Sequence, residues 1–100
     1  MAPERLDDVR ATGAVVVDTR SADAFAAGHV PGTINIPLTR AFTTWAGWLV
    51  PYDADFYLIG DEAGTAEAVR DLAMIGLDRV AGAFGLAAVE DRAPEELERI

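Results

Sequence analysis

Residues 14–18 read Ala-Val-Val-Val-Asp, and the three consecutive valines between Gly13 and Asp18 constrain the fold more than any other stretch. Side chains alternate across a strand, so consecutive β-branched residues place apolar groups on both faces of a sheet, as in parallel sheets. Such a strand needs a covering layer on each side. "DFYLIG" at 55–60 is a further strand, and a helical pattern follows both runs. Strands alternating with helices imply right-handed βαβ units: a three-layer α/β domain with a mostly parallel central sheet and helices on both faces.

The remaining elements follow from local signals. "APERLDDVRATG" has Pro3 near its start, Leu6 and Val9 on one face and Gly13 past its end, a short helix closed by glycine. In "SADAFAAGH", Ser21 is an N-cap, Phe25 the apolar anchor and Gly28 the stop. "VPGTINIP" is a Pro-Gly turn into a strand at Thr33–Ile36. "LTRAFTTWAGWLVP" reads as a helix whose Trp45, Trp48 and Leu49, extended backwards by Phe42 and Leu38, are expected in the core. "TAEAVRDLAMIG" is the next helix, punctuated by Ala66, Val69, Leu72, Ala73 and Gly76; a short strand around Val80 and a partly helical tail complete the chain.

Composition narrows the function. One hundred residues make one domain, and 51% hydrophobic with 25% charged residues specify a globule. No cysteine is present, which excludes disulfides, thiolate metal sites and a cysteine nucleophile. The net charge is −9 and all eight cations are arginines without clustering, so nucleic acid is not an expected partner. No apolar run approaches membrane length, and the N-terminus is charged from Glu4, unlike a signal peptide. A cytoplasmic location, no membrane contact and no cofactor are expected.

Residues 15–38, "VVVDTRSADAFAAGHVPGTINIPL", closely resemble the first signature of the rhodanese-like domains. In that signature a strand ends in Asp-x-Arg, here Asp18-Thr19-Arg20, and a short helix carries Phe25. Gly28-His29-Val30-Pro31-Gly32-Thr33 then leads to Asn35-Ile36-Pro37. "LAMIGLDRVAGAFG" is similar to the second half of the family pattern, so the resemblance covers most of the chain. Physically, Gly28 and Gly32 permit backbone angles a Cβ would oppose, with Pro31 stiffening the turn. A lone His29 makes a poor metal site, so hydrogen bonding and packing are its expected work. Asp18 and Arg20, at a strand's C-terminal end, either line a ligand crevice or tie the strand to the next helix, the second being favoured.

The resemblance implies sulfur transfer through a cysteine persulfide, or phosphate-ester chemistry in related phosphatases, with the cysteine in a loop after the central strand. That loop maps onto Gly60-Asp61-Glu62-Ala63-Gly64-Thr65, with the reactive position on Gly60 or Asp61. Neither can carry a persulfide. Thr65 lacks an adjacent base, and the two carboxylates repel anions while favouring a helix N-terminus. The loop is therefore expected to be a self-capped, vestigial active site without catalytic or metal-binding residues. The chain further resembles the rhodanese repeats that accompany metallo-β-lactamase-fold hydrolases or persulfide dioxygenases in bacterial fusions, which implies a non-catalytic structural, docking or regulatory module. Its partners would be other domains of the same chain or a separate protein. Similarity between "APERLDDV" at 2–9 and "APEELERI" at 93–100 is either a chance match of two Pro-initiated helix starts or the sign of a tandem array whose next unit begins at 93. The alternatives are a hydrolase or phosphatase using Asp61 or Glu62 in place of cysteine, and a small-cation sensor.

Overall fold

The valine run forms β1 (Val15–Asp18) at the centre of the computed structural model, which describes residues 1–100. It pairs in parallel with β2 (Ile34–Asn35) on one side and β3 (Phe56–Ile59) on the other, and β4 (Val80–Phe84) completes the order β2-β1-β3-β4. β1 is covered on both faces, as consecutive valines require. Val17 belongs to a core shared with α3 (Phe42–Leu49) and α4 (Glu62–Met74). Val16 belongs to a second core shared with α1 (Arg5–Ala11) and α5 (Ala87–Glu90). β3 divides likewise: Phe56 and Leu58 face the first core and Ile59 the second.

Between β1 and β2 runs α2 (Ala22–Ala27), opened by Ser21, whose hydroxyl accepts from the Ala24 N–H at 3.2 Å. The Pro31-Gly32 turn closes with the Thr33 N–H donating to the Val30 carbonyl, and Gly32 takes φ +85°, a left-handed angle that a Cβ disfavours. Gly13 and Gly76 end their helices at φ +81° and +84°. Asp7 in α1 accepts from Arg92 Nη2 at 3.0 Å, while Arg92 Nε donates to the Ala88 carbonyl, tying α1 to α5.

Several of these expectations change. Trp45, Trp48 and Leu49 are exposed, and α3 instead buries Phe42 and Ala46, with Val50 just beyond its end. The helix contains no charged residue, and its two threonines, Thr43 and Thr44, are too weakly polar to fix its rotation. α4 buries Ala68 and Leu72, leaving Ala66, Val69 and Ala73 exposed: its alanines carry too little apolar surface to set the rotation, and Leu72 sets it. Residues 93–100 do not repeat the α1 conformation of 2–9. They form a 3₁₀ turn (Pro94–Glu96), after which Glu98 exchanges backbone hydrogen bonds with His29, both at 2.9 Å. The expected Thr33–Ile36 strand is confined to Ile34–Asn35.

Candidate functional site

The strand order reverses direction between β1 and β3, and in open parallel sheets the crevice beyond the carboxyl ends of such strands is where ligands bind. Thr19 follows β1 and Gly60 follows β3, and the Thr19 N–H donates to the Ile59 carbonyl at 2.9 Å, so the two meet at this switch point. A cleft of about 330 Å³ opens there, lined by Thr19, Arg20, Ser21, Leu38, Gly60 and Asp61 among others.

Each sequence-predicted residue has a defined place. The Asp18 side chain is fully buried and receives Arg20 Nε and Nη2 in a two-pronged ion pair, with Nη2 at 2.8 Å; the Arg20 backbone N–H donates to it as well. Arg20 Nη2 also donates to the Gly28 carbonyl at 2.9 Å, and Asn35 Nδ2 donates to the carbonyls of Asp18 and Arg20. The guanidinium is thus engaged with Asp18 and the end of α2 rather than presented to an incoming anion. His29 stacks on the Phe25 ring, centroids 3.8 Å apart, and its Nδ1 contacts the Phe25 carbonyl at 2.9 Å. Because a carbonyl can only accept, Nδ1 carries the proton in that bond. His29, Pro31 and Gly32 belong to the α2–β2 connection and do not line the cleft.

The segment expected as a six-residue loop is far shorter as a loop. Gly60 follows β3 directly, Asp61 is the N-cap of α4, and Glu62, Ala63, Gly64 and Thr65 form the helix's first turn. Asp61 Oδ1 accepts the Gly64 N–H at 2.6 Å. A carboxylate from within the chain therefore meets one of the free N–H groups that an anion would otherwise meet. Gly64 permits this, since a Cβ there would stand 2.9 Å from Asp61 Oδ1. The two acids diverge: Asp61 faces the switch-point cleft, and Glu62 lines a separate depression with Thr65, Ala83 and Gly85. No group of three His, Asp or Glu side chains is arranged to hold a metal ion.

Thr19 is the residue sequence reasoning passed over, as the variable position of Asp-x-Arg. Its hydroxyl donates to the Ile59 carbonyl at 2.8 Å and occupies the space beside Gly60 into which a Cβ would project. The available signal was a small hydroxyl residue directly after a buried strand, too common a pattern to select.

The Rhodanese-like domain family model matches residues 2–83. The chain belongs to the rhodanese-like family. It is a member without the cysteine through which the family's sulfur chemistry runs. The Rhodanese-like domain-containing protein 14, chloroplastic, of Arabidopsis thaliana is 34% identical over 53 residues, spanning 53% of this chain and 24% of that protein. Among solved structures, a metallo-β-lactamase from Staphylococcus aureus subsp. aureus COL shares 39% identity over 74% of this chain and 22% of its own, with a TM-score of 0.70. The Alr3790 protein of Anabaena sp. superposes over 98% of this rhodanese-like domain and 90% of its own chain, TM-score 0.80 at 23% identity, a likeness of fold. This domain thus spans under a quarter of the plant protein and of the staphylococcal chain.

Proposed function

We propose that this rhodanese-like domain is a catalytically inactive module with a structural or docking role in a larger metallo-β-lactamase-fold protein of the bacterial cytoplasm. The observation that carries the reading is the filled site: Gly60 offers no nucleophile, the Thr19 hydroxyl takes up the adjoining space, and Asp61 caps α4. An anionic sulfur or phosphate approaching the α4 N-terminus meets the Asp61 carboxylate, and like charges at about 4 Å oppose by roughly 1 to 4 kcal/mol depending on screening. The 39% identity to part of a staphylococcal metallo-β-lactamase chain supports the modular setting. A carboxylate-based hydrolase finds less support, because Asp61 is held in the cap and Glu62 opens onto a different depression.

The test is a thiosulfate:cyanide sulfurtransferase assay on the purified chain, with calorimetric titration against a metallo-β-lactamase-fold protein alongside. No turnover above buffer, together with measurable heat of binding, is the expected result. Turnover that co-purifies with the chain and is lost on Asp61→Ala would overturn it.

A further inference from the structure

Independently of that reading, we infer that the cavity between the start of α3 and one face of α4 is a binding site for a short apolar peptide with both termini free. At about 650 Å³ it has roughly twice the volume of the switch-point cleft. Arg40 and Thr43 stand on one wall, at the entry to α3 and in its first turn. Glu67, Asp71 and Met74 form the other, and their i, i+4, i+7 spacing places them on a single face of α4. Between the walls the lining is apolar: Phe42 is a core residue, and Leu38 and Ile75 pack against the same core.

Charge selects the ligand. Arg5, Arg10, Arg20, Arg79 and Arg92 are all ion-paired within the chain, whereas Arg40 is not, and neither are Glu67 and Asp71. The guanidinium therefore lies more than 4.0 Å from either carboxylate although all three line one cavity. An anion alone would meet two carboxylates there, and a cation alone would meet the guanidinium. An uncharged apolar ligand would cover these charges without pairing any of them. A ligand with one charge of each sign on an apolar body satisfies every wall. Its carboxylate accepts from Arg40, its ammonium donates to Asp71 or Glu67, and its side chains rest on Leu38, Phe42 and Ile75. Spacing then favours a peptide over a single amino acid, whose two charged groups share one carbon. A sphere of this volume is roughly 10 Å across, and two or three extended residues at about 3.5 Å each match it.

Calorimetric titration of the chain with the dipeptide Leu-Leu, its N-acetyl form and its C-terminal amide tests this. Leu-Leu is expected to bind saturably with a Kd of about 1 mM or below, and more weakly as sodium chloride is added. Each blocked form should bind roughly three- to tenfold more weakly, as expected for losing one charged hydrogen bond at a partly exposed site. Arg40→Gln should reproduce the loss caused by the amide, and Glu67→Gln/Asp71→Asn the loss caused by the acetyl group. In its matching variant each block should then weaken binding no further. These side chains hold no ion pair in the chain, so both variants should keep the parent far-UV circular dichroism spectrum. Absence of saturable heat with Leu-Leu up to about 10 mM overturns the inference. Equal binding of the blocked and free peptides overturns it too, as do blocking losses that persist undiminished in the variants, since the termini would then be held elsewhere.

Discussion

The Thr19 hydroxyl, bonded to the Ile59 carbonyl at 2.8 Å, stands in the space that a side chain on Gly60 would enter. Restoring a thiol is therefore not a matter of one substitution. Gly60→Cys is expected to destabilise the fold by about 1–3 kcal/mol through overpacking and to yield no sulfurtransferase activity. Removing the obstructing atom should relieve the strain, so Thr19→Ala/Gly60→Cys should cost less than the sum of its parts, by about 0.5–3 kcal/mol. Urea denaturation of the four-member cycle measures this; strict additivity would refute it.

The Asp18–Arg20 pair makes a second expectation. Asp18 is fully buried and Arg20 nearly so. Arg20→Met would leave the carboxylate without its counter-charge at a cost of about 3–5 kcal/mol. Arg20→Lys should lose less, since it keeps the charge but not the two-pronged geometry. A loss below about 1 kcal/mol for Arg20→Met in chemical denaturation would show the pair to be no more than a surface ion pair.

The α4 cap couples Asp61 to Gly64. Asp61→Ala should cost about 1 kcal/mol and Asp61→Ser much less, because serine can also accept the Gly64 N–H. Gly64→Ala should destabilise the parent protein, where its Cβ meets Asp61 Oδ1. In the Asp61→Ala background that contact is gone and only Leu38 Cδ1, the end of a flexible side chain, stands within 3.1 Å of the added Cβ, so the helix preference for alanine over glycine, about 1 kcal/mol, should reduce or reverse the cost. Thermal melts of the four proteins test for this change.

Asp7 gives a pH dependence. The hydrogen bond from Arg92 holds its carboxyl below the ordinary value of 3.8; burial opposes this, and the Arg92 charge and Arg10 add to the lowering. A folded-state value below the unfolded one means that the stabilisation is complete above 3.8 and is lost as the pH falls through the folded value. The carboxylate is 60% exposed, so the effect is that of a surface pair, about 0.2–1 kcal/mol. The stability difference between the parent and Asp7→Asn should be constant near neutrality and close below pH 3.8. A difference that widens under acid would contradict the assignment.

Several features of fold and site were legible because they rest on short-range physics. Val15–Val17 require cover on both faces, Gly13 and Gly32 take up left-handed angles, and Ser21 caps the helix that follows it. The Asp-x-Arg and Gly-His-x-Pro-Gly spacings pointed to the right family, since its turns depend on residue types at fixed offsets. Helix rotation was less accessible. α3 carries no charge and only Thr43 and Thr44 as polar side chains, so Phe42 and Ala46 could not be told from Trp45 and Trp48 as the inner face. The start of α4 was placed too late, because Asp61 read as a loop acid when its carboxylate is the cap on Gly64. The likeness of 93–100 to 2–9 did not carry over into conformation, because pairing with His29 holds Glu98 in an extended backbone.

By itself the sequence determined the class of fold, from strands buried on both faces alternating with helices, and the absence of any thiol chemistry. Only the tertiary structure decided what stands where that chemistry would be. Thr19 and Gly60 are 41 positions apart in the chain and meet because β1 and β3 pair in parallel with Asp18 beside Ile59. Strand register, a property of the assembled sheet, puts a hydroxyl against that glycine. Packing of α3 on the same sheet likewise decided which of its apolar faces is covered and which is left to solvent.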